Sequence, residues 1–533
     1  MEALAAPEEV CGHHDMGALP PFNCHASIRG TVIVKPQQAG QDGYSNTFSP
    51  QRLKVLTSEA DLETLSSDSG IIRIKPTVGY VADTEAEVES VLELAGRSGG
   101  SVTPRGAGTS IPSQSVGSGS VLLQGRNMGI VLPGGKVRCE PALVKGDLNK
   151  LLEPAGRWMP VDPSSYLSCT VGGMVANNSS GVRTPRYGST IDYVEGLRAA
   201  IPGEGARNVT AVPIEQALSG DRVTREVGRL LVDNWKTIIS EQPRVTKNSS
   251  GYRLEKVLHD GVCDLPKLLV GSEGTLGVLT EITFATRVRA GSRILLIVEA
   301  GLDELDALVS AFRRHGPTAL ELVDKSVFRR MGREERIAKY SRTEGEYLLF
   351  CEFEGTEELL QERMEEIAGS KVGGFEPLVL TSPTEVREAW EVRNETLTLA
   401  LEIREGRRIL VPGVEDLVVP TERLGDLVRL LKDQFEKRGL GYISYGHAWD
   451  ANLHARPLLD PSLPSERRTL EEIMEESFEA VWKMGGSMTG EHGDGMLRAP
   501  YVARQYPKSY GVMKRIRETF DPKGMLNPGV KII

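Results

Sequence analysis

The sequence predicts an α+β protein of several domains. Its 533 residues exceed what one hydrophobic core usually accommodates. A strand–helix–strand pattern runs into glycine-rich segments, and a later region alternates strands with charged amphipathic helices. We therefore expect a first domain with a βαβ unit and glycine-rich turns, and a second domain with a ferredoxin-like antiparallel sheet.

Composition excludes several classes of function. The formal net charge of −10 disfavours nucleic-acid binding, which normally requires a basic face. The six cysteines contain no CxxC pair, which fits neither an iron–sulfur cluster nor a disulfide scaffold. An acidic start and the absence of long apolar runs argue against a signal peptide or membrane insertion. We expect a cytoplasmic protein that reaches a membrane only through a bound partner.

The first elements follow an N-terminal arm over residues 1–50, which has no hydrophobic periodicity. The irregularly spaced Cys11, His13, His14, Cys24 and His25 in this arm favour a tail without a metal. After the arm, "IIRIKPTVGYVADT" predicts a strand and "TEAEVESVLELAGRSG" a helix. Thr84 is the expected N-cap of this helix, with Glu87 completing a capping box, and "GSVTPRG" predicts the next strand.

The second half has a different pattern. "RILLIVEA" and "EYLLFCEFEG" predict strands, and "LDELDALVSAFRRHG" predicts an amphipathic helix. The last helix should end at Asp521-Pro522 and continue as an extended tail. We place the first domain at 51–287, the second at 288–485, and a C-terminal segment that completes the active site at 486–533.

Four segments are rich in glycine: residues 104–119, 169–181, 186–197 and 270–281. Small residues allow close backbone approach, and consecutive N–H groups can cradle a diphosphate. Neither the GxGxxG nor the GxxxxGK[ST] pattern is present, which disfavours NAD(P) and NTP binding by those motifs. Tight turns in a β-rich domain are the alternative, but four such segments in series favour a large phosphorylated cofactor.

These motifs resemble a known family. "TPRGAGTS", "TVGGMVANNSSG" and "GSEGTLGVLTE" are similar to the FAD-binding domain of the vanillyl-alcohol-oxidase superfamily. "GHAWDANLH", "GEHGDG" and "FDPKGMLNPGVKI" resemble the FAD-linked D-2-hydroxy acid dehydrogenases, which include D-lactate dehydrogenase, the flavin subunit of glycolate oxidase and D-2-hydroxyglutarate dehydrogenase. The resemblance implies a two-subdomain FAD-binding domain, a ferredoxin-like substrate (cap) domain and a C-terminal helical segment.

The resemblance also implies a set of FAD contacts, which wrap the diphosphate, follow the dinucleotide or line its adenine- or flavin-facing side. They are Pro104, Arg105, Gly106, Ala107, Gly108, Thr109, Ser110, Thr170, Gly172, Gly173, Asn177, Asn178, Gly181, Glu273, Gly277, Val278 and Asn527. Some relatives attach FAD covalently through a histidine. None of the four glycine-rich segments contains a histidine, so we expect FAD to be bound non-covalently.

We expect a metal centre at a hairpin that carries two histidines. "LGYISYGHA" and "NLHARPLL" predict two strands with a turn at Trp449–Ala451, which would bring His447 and His454 together. With Glu491, they would leave an open position, as in catalytic divalent sites. Zinc suits these ligands best, and manganese or iron is also compatible. A lone histidine on a strand is usually structural, but the pairing and the adjacent "GEHGDG" favour a site.

Three further residues are the expected catalytic set. In the resembling family the metal binds the carboxylate and hydroxyl of the substrate, so His492 would be the general base. Arg393 stands where the family's Trp-x-x-Arg motif has its carboxylate-binding arginine, and Arg456 is a second candidate.

The substrate expectation follows from a departure from the family. The strand before Pro420 has no lysine where the hydroxyglutarate enzymes use one for a distal carboxylate. D-Lactate or glycolate is therefore favoured over D-2-hydroxyglutarate.

The sequence has no second redox motif, so we expect a separate electron acceptor, either an iron–sulfur subunit or an electron-transfer flavoprotein. The alternatives are a flavin oxidase, an alkylglycerone-phosphate synthase and a flavin-free metal-binding subunit or hydrolase. The synthases carry adjacent active-site histidines, whereas the adjacent pair here, His13-His14, lies in the N-terminal arm.

Overall fold

The computed structural model describes residues 53–289, 291–370 and 376–533. The N-terminal arm expected at residues 1–50, with its cysteines and histidines, lies outside the described residues.

The first sheet contains the predicted βαβ unit. Its strands are β1 (Lys54–Leu56), β2 (Val78–Ala82), β3 (Val102–Pro104) and β4 (Ser120–Gln124), accompanied by α1 (Glu59–Leu65) and α2 (Glu85–Ser98). The capping box of α2 is confirmed: Thr84 Oγ1 accepts from the Glu87 N–H, and the Glu87 carboxylate accepts from the Thr84 N–H. The strand order is β1-β2-β4-β3, so β4 lies between the two strands of the unit and pairs in parallel with both.

The second sheet is antiparallel, in the order β5-β6-β13-β8-β9. Its strands are β5 (Gly129–Leu132), β6 (Lys136–Cys139), β8 (Val194–Ile201), β9 (Gly205–Val209) and β13 (Val278–Ala285). Short ladders join β7 (Arg157–Trp158) to β14 (Arg287–Val288), and β12 (Val262–Asp264) to β10 (Ala211–Pro213) and β11 (Leu258–His259). The helices of this region are α3 (Lys145–Leu152), α4 (Val171–Asn177), α5 (Thr184–Tyr187), α6 (Ile214–Ser219), α7 (Arg222–Ser240), α8 (Leu254–Val257) and α9 (Leu265–Leu269).

The third sheet forms the second domain and has nine strands among the described residues, all paired antiparallel as expected. They are β15 (Ser292–Ala300), β16 (Ala319–Asp324), β17 (Tyr347–Gly355), β18 (Leu378–Leu380), β19 (Arg404–Glu405), β20 (Arg408–Leu410), β21 (Leu417–Val418), β22 (Tyr442–His447) and β23 (Asn452–Leu459). Its helices are α10 (Leu305–Arg313), α11 (Ser326–Arg330), α12 (Glu357–Ser370), α13 (Pro383–Glu402), α14 (Leu424–Glu436) and α15 (Pro464–Lys483). The predicted strands in β15 and β17 and the predicted helix in α10 are confirmed.

The C-terminal segment returns to the first domain. It contains α16 (Gly495–Gln505) and α17 (Tyr510–Phe520), which ends before Asp521-Pro522 as predicted. The Asn527 amide donates to the carbonyl oxygens of Glu273 at 2.7 Å and Gln114 at 2.8 Å. Lys531 Nζ, fully buried, lies 2.8 Å from Glu273 Oε1 and 2.9 Å from Asp494 Oδ2. The tail is therefore tied into the first domain by buried polar contacts.

None of the helices in the described part of the chain combines the length and apolar character that a bilayer crossing requires.

Replacing Lys531 by Met should strongly destabilise the protein, because two buried carboxylates would lose their cation. Removing one partner of a buried ion pair lowers the free energy of unfolding by about 3–5 kcal/mol. We expect a lower midpoint of thermal and urea unfolding, measured by circular dichroism. The control is Lys508→Met, which removes an exposed lysine. Equal midpoints for the two variants would contradict a stabilising role for the buried cluster.

Candidate active site

The β22–β23 hairpin brings the two predicted histidines together. His447 pairs with Asn452 and Tyr445 pairs with His454, so both histidines lie on one face, with ring centroids 5.2 Å apart. Ala451 in the connecting turn has a φ of 48°. The ring of Trp449 packs against the guanidinium of Arg313, 4.6 Å away, on α10.

Glu491 meets this face from the C-terminal segment. Its Oε1 lies 3.0 Å from His447 Nε2 and 3.3 Å from His454 Nε2. His492 Nε2 lies 3.8 Å from the same oxygen, and its ring stacks on that of His454 with centroids 4.9 Å apart. Three imidazoles and one carboxylate oxygen therefore converge on one point.

Neighbouring acceptors orient the two hairpin histidines. His454 Nδ1 donates to the carbonyl oxygen of Glu415 at 2.6 Å, which leaves Nε2 as the nitrogen that faces Glu491. Burial lowers the pKa of His454 and so favours the neutral ring with a free Nε2 lone pair. His447 Nδ1 contacts Glu321 Oε1 at 2.7 Å. Burial alone would lower the pKa of His447, but the charges of Glu321 and Glu491 raise it to about 9.

The donors suit a divalent cation. Ligands at about 2.0–2.1 Å in a tetrahedral zinc site lie roughly 3.3 Å from one another. The observed separations of 3.0 and 3.3 Å between the Glu491 oxygen and the two hairpin nitrogens match that spacing. Asp416, His454, Glu491 and His492 also each offer a ligand atom within 4.8 Å of the others. This group shares His454 and Glu491 with the ligand set expected from the sequence, and it contains Asp416 and His492 in place of His447.

Asp416 holds the Glu491–His492 backbone in place. Its Oδ2 accepts from the N–H of Glu491 at 3.0 Å and from the N–H of His492 at 2.8 Å, and its carboxylate also accepts from Thr489 Oγ1. The same aspartate accepts from the Asn452 amide in the hairpin. One buried carboxylate thus fixes the Glu491–His492 segment relative to the hairpin.

The sequence did not identify four groups around this centre: Ser180, Glu321, Glu415 and Asp416. Lys247 Nζ lies 3.0 Å and Ser180 Oγ 2.5 Å from Glu491 Oε2. A usable signal existed for the acids, because "ALELVD" and "GVEDLVV" place carboxylates inside apolar strand-like runs.

His492, the predicted general base, is largely buried. Its Nδ1 lies 3.5 Å from Glu415 Oε1 without hydrogen-bond geometry. Burial alone would lower the pKa of His492, but the charges of Asp416, Glu415 and Glu491 outweigh burial and raise it.

The two candidate arginines differ in their partners. Arg393 is buried and donates from Nε and Nη2 to Glu321 Oε2. Arg456 is 4% exposed, and its side chain, including the buried Nε, forms no hydrogen bond or ion pair with any described residue. Glu415 is the acid that interacts electrostatically with Arg456, but its carboxylate is already paired with Arg498. A buried guanidinium without a partner is costly, which marks Arg456 as a site for an anion.

The first glycine-rich segment fits a diphosphate. The backbone N–H groups of residues 106–110 donate to no acceptor in the described chain, and this run follows β3 as an irregular loop. Gly108 has a φ of 70°, and a Cβ there would lie 2.3 Å from Arg105 Nη2. Successive free N–H groups in such a loop form an anion-binding nest. The predicted contacts Pro104–Ser110 therefore lie where a diphosphate can be held.

The other glycine-rich segments mainly pack against the protein. Thr170 caps α4, whose first N–H groups donate to protein acceptors. A Cβ on Gly172 would meet Pro141, and one on Gly181 would meet Asp162. For these positions the requirement for glycine comes from internal packing.

Four of the remaining predicted FAD contacts have partners within the protein. The Asn177 amide donates to the Glu491 carbonyl at 3.0 Å, and Asn178 Oδ1 accepts from Ile191. The Glu273 carboxylate accepts from the N–H groups of Asp494 and Gly495 and pairs with Lys531. The amide of Asn527 donates to carbonyl groups of the first domain. Gly173, Gly277 and Val278 lie at the N-terminal end of α4 or at the start of β13.

Two family models match the chain: FAD binding domain over residues 76–207, and FAD linked oxidases, C-terminal domain, over residues 295–530. The chain belongs to the FAD-linked oxidases. The chain therefore carries the expected FAD-binding domain, and the matched oxidase C-terminal region extends over the second domain and the C-terminal segment.

Curated relatives support the assignment. A D-2-hydroxyglutarate dehydrogenase of Escherichia coli is 29% identical over 96% of this chain, which spans 53% of that protein. A D-lactate dehydrogenase of Anaerostipes hadrus is 29% identical over 89% of this chain and 94% of its own length. Glycolate oxidase subunit GlcD of Bacillus subtilis is 28% identical over 83% of this chain and 86% of its own length. The chain thus spans about half the length of the first of these relatives.

A solved alkyldihydroxyacetonephosphate synthase has the same fold, with a TM-score of 0.62 and 16% identity over 97% of this FAD-linked oxidase and 88% of the synthase.

Gly108→Ala should weaken FAD binding. The added Cβ would displace the Arg105 guanidinium, which donates to the Ser115 and Ser67 carbonyls, and so would distort the loop. We expect a loss on the order of tenfold in affinity, equivalent to about 1.4 kcal/mol. The flavin-to-protein absorbance ratio after dialysis measures it.

Gly134→Ala is the matched control. Gly134 has a φ of 74°, yet nothing lies within 4 Å of its added Cβ, so the control carries the backbone strain without the crowding. Equal FAD loss in both variants would contradict the assignment of the loop.

Proposed function

We propose that this protein oxidises a small D-2-hydroxy acid to the corresponding 2-oxo acid. The observation that carries the proposal is the convergence of three imidazole nitrogens on Glu491 Oε1 in a site that also contains an unpaired, buried Arg456. A divalent metal and a carboxylate-binding cation are the two elements that recognition of a 2-hydroxy acid requires.

FAD and a divalent metal would complete the chemistry. The 104–110 loop would hold FAD non-covalently, and bound FAD would supply the two-electron chemistry as the acceptor of a hydride from the substrate carbon. A divalent metal, with zinc preferred and manganese or iron compatible, would be held by His447, His454 and Glu491 and would acidify the substrate hydroxyl.

His492 is the proposed base. It follows Glu491 directly, and its Nε2 is directed to the same point as the hairpin nitrogens. It therefore takes the proton of the hydroxyl group at the metal. The partly buried ring is stacked on His454, which fixes its orientation and limits access of water.

Arg456 is the proposed anchor for the substrate carboxylate. Arg393, the other candidate, already has a carboxylate partner in Glu321. We infer that Arg393 orients the Glu321–His447 pair as well as contributing positive charge. A planar guanidinium binds a carboxylate through two parallel hydrogen bonds, which also sets the orientation of the substrate.

A small monocarboxylate such as D-lactate or glycolate suits the site better than D-2-hydroxyglutarate. The strand before Pro420 carries buried Glu415 and Asp416 and has no lysine. These two acids would repel a second carboxylate on the substrate. The relatives named above include a D-lactate dehydrogenase and a glycolate oxidase subunit but also a D-2-hydroxyglutarate dehydrogenase, so their names support the 2-hydroxy acid class and do not choose among these substrates.

A separate protein is the proposed electron acceptor, either an iron–sulfur subunit or an electron-transfer flavoprotein. The four cysteines in the described residues are buried and unpaired, and do not form a cluster site. The sequence also lacks a Rossmann fingerprint.

The decisive experiment is anaerobic. D-Lactate, L-lactate, glycolate and D-2-hydroxyglutarate are added separately to the flavin-loaded protein, and the flavin absorbance is followed. We expect bleaching by D-lactate or glycolate, lost after chelation and strongly slowed in His492→Ala. General bases contribute roughly 10²–10⁴-fold to rate, so bleaching in that variant should slow by about this factor.

His315→Ala, on the second domain away from these ligands, is the control and should bleach at the wild-type rate. A yellow protein that no hydroxy acid bleaches would overturn the proposal. Admitting oxygen to the bleached protein tests the acceptor: slow reoxidation is expected, and rapid stoichiometric oxygen consumption would identify an oxidase.

Arg456→Met should raise KM much more than it changes kcat. A hydrogen bond to a charged group contributes about 1.5–3 kcal/mol, so KM should rise roughly 10- to 100-fold. Steady-state kinetics with the substrate identified above gives both constants. Arg504→Met, which removes an arginine at the protein surface, is the control. An unchanged KM in Arg456→Met would assign the carboxylate to another residue.

A further inference from the structure

We propose that Lys247 and Ser180 restrict Glu491 to coordination of the metal through one oxygen and weaken metal binding, so that a position stays open for the substrate. We call this pair of residues the Glu491 clamp. The inference rests on the metal centre of the proposed function and gives Lys247 a positioning role.

The two oxygens of Glu491 have different partners. Oε2 accepts from Lys247 Nζ at 3.0 Å and from Ser180 Oγ at 2.5 Å. Oε1 faces His447 Nε2 at 3.0 Å and His454 Nε2 at 3.3 Å. One oxygen of Glu491 therefore contacts the FAD-binding domain, and the other contacts the hairpin of the second domain.

Lys247 is held in this position from its other side. Its side chain is 3% exposed, and Nζ also lies 3.5 Å from Asp450 Oδ2. Thr246 Oγ1 donates to Asp450 Oδ1 at 2.6 Å. Asp450 lies in the turn between the two hairpin histidines, so the clamp also links the FAD-binding domain to the metal hairpin.

The clamp has two consequences for a bound cation. A carboxylate whose second oxygen is occupied by an ammonium and a hydroxyl group donates to the metal through the first oxygen alone. A bidentate carboxylate would fill one more coordination position, the one a catalytic site leaves to water or substrate. The nearby ammonium also repels a divalent cation in a buried site, where charges are screened weakly.

Lys247→Met tests the clamp without relying on turnover. The flavin-loaded full chain is stripped with a chelator and titrated with Zn²⁺ in competition with a chromophoric chelator. X-ray absorption on the zinc-loaded protein then counts the light-atom ligands. We expect the variant to bind Zn²⁺ about tenfold or more tightly, because a buried repulsive charge is removed, and to gain one oxygen ligand. Ser180→Ala should shift both measurements in the same direction by less.

Lys325→Met is the matched control, because it removes another buried lysine that is ion-paired with a glutamate, Glu299, outside the metal centre. It should bind Zn²⁺ with wild-type affinity. Lys247→Arg, which keeps the positive charge, should remain near wild type. If Lys247→Met does not fold, the Zn²⁺ affinity and the ligand count of Ser180→Ala, each compared with wild type, test the clamp.

Two results would overturn the clamp, and they differ in what else they remove. The first result is unchanged or weaker Zn²⁺ binding in Lys247→Met, together with the wild-type number of ligands. It rejects the clamp and leaves the metal centre intact. If Lys247→Met does not fold, the same result in Ser180→Ala has the same meaning. Wild-type protein that binds no Zn²⁺ rejects the metal centre and the clamp together. Neither result depends on the identity of the hydroxy acid.

Discussion

The pairing of the Glu491 carboxylate is the interaction on which the candidate site depends. Its side chain is 12% exposed, and a carboxylate removed from water must be compensated by cations and hydrogen-bond donors. Its partners come from the FAD-binding domain through Lys247 and Ser180 and from the second domain through the hairpin histidines. These contacts bring the domains together around one charged group.

A second buried carboxylate fixes the direction of the first. Asp416 accepts backbone N–H groups from both Glu491 and His492, and it also binds the hairpin through Asn452. Asp416 directly precedes β21, so this short strand helps to position the site. Glu491, the proposed metal ligand, and His492, the proposed base, are therefore oriented through their main chain, which leaves their side chains directed to the shared point.

A separate polar network joins the two domains beyond the candidate site. Arg183 of the FAD-binding domain contacts both Glu352 oxygens at 2.9 and 3.1 Å, and Glu352 also accepts from the Trp390 indole at 2.7 Å. Trp390 and Arg393 are both on α13. The helix that carries one candidate arginine is thus fixed against the FAD-binding domain. Because partial loss of a buried network is costly, the relative position of the domains is strongly constrained.

The sequence by itself determined the features that depend on local order. The capping box at Thr84, the end of α17 before Asp521-Pro522 and the hairpin that brings His447 and His454 together all follow from residues close in the chain. The glycine-rich motifs likewise identified the FAD-binding domain, because a ligand held by backbone requires small residues in a fixed order.

Tertiary structure decided which charges meet. Ser180 and Glu491 are separated by 311 positions and Lys247 and Glu491 by 244, so no periodicity connects them. It also distinguished Arg393, which has a carboxylate partner, from Arg456, which has none among the described residues. Side-chain pairing across domains depends on how separate cores pack, and the local pattern of a sequence does not encode that packing directly.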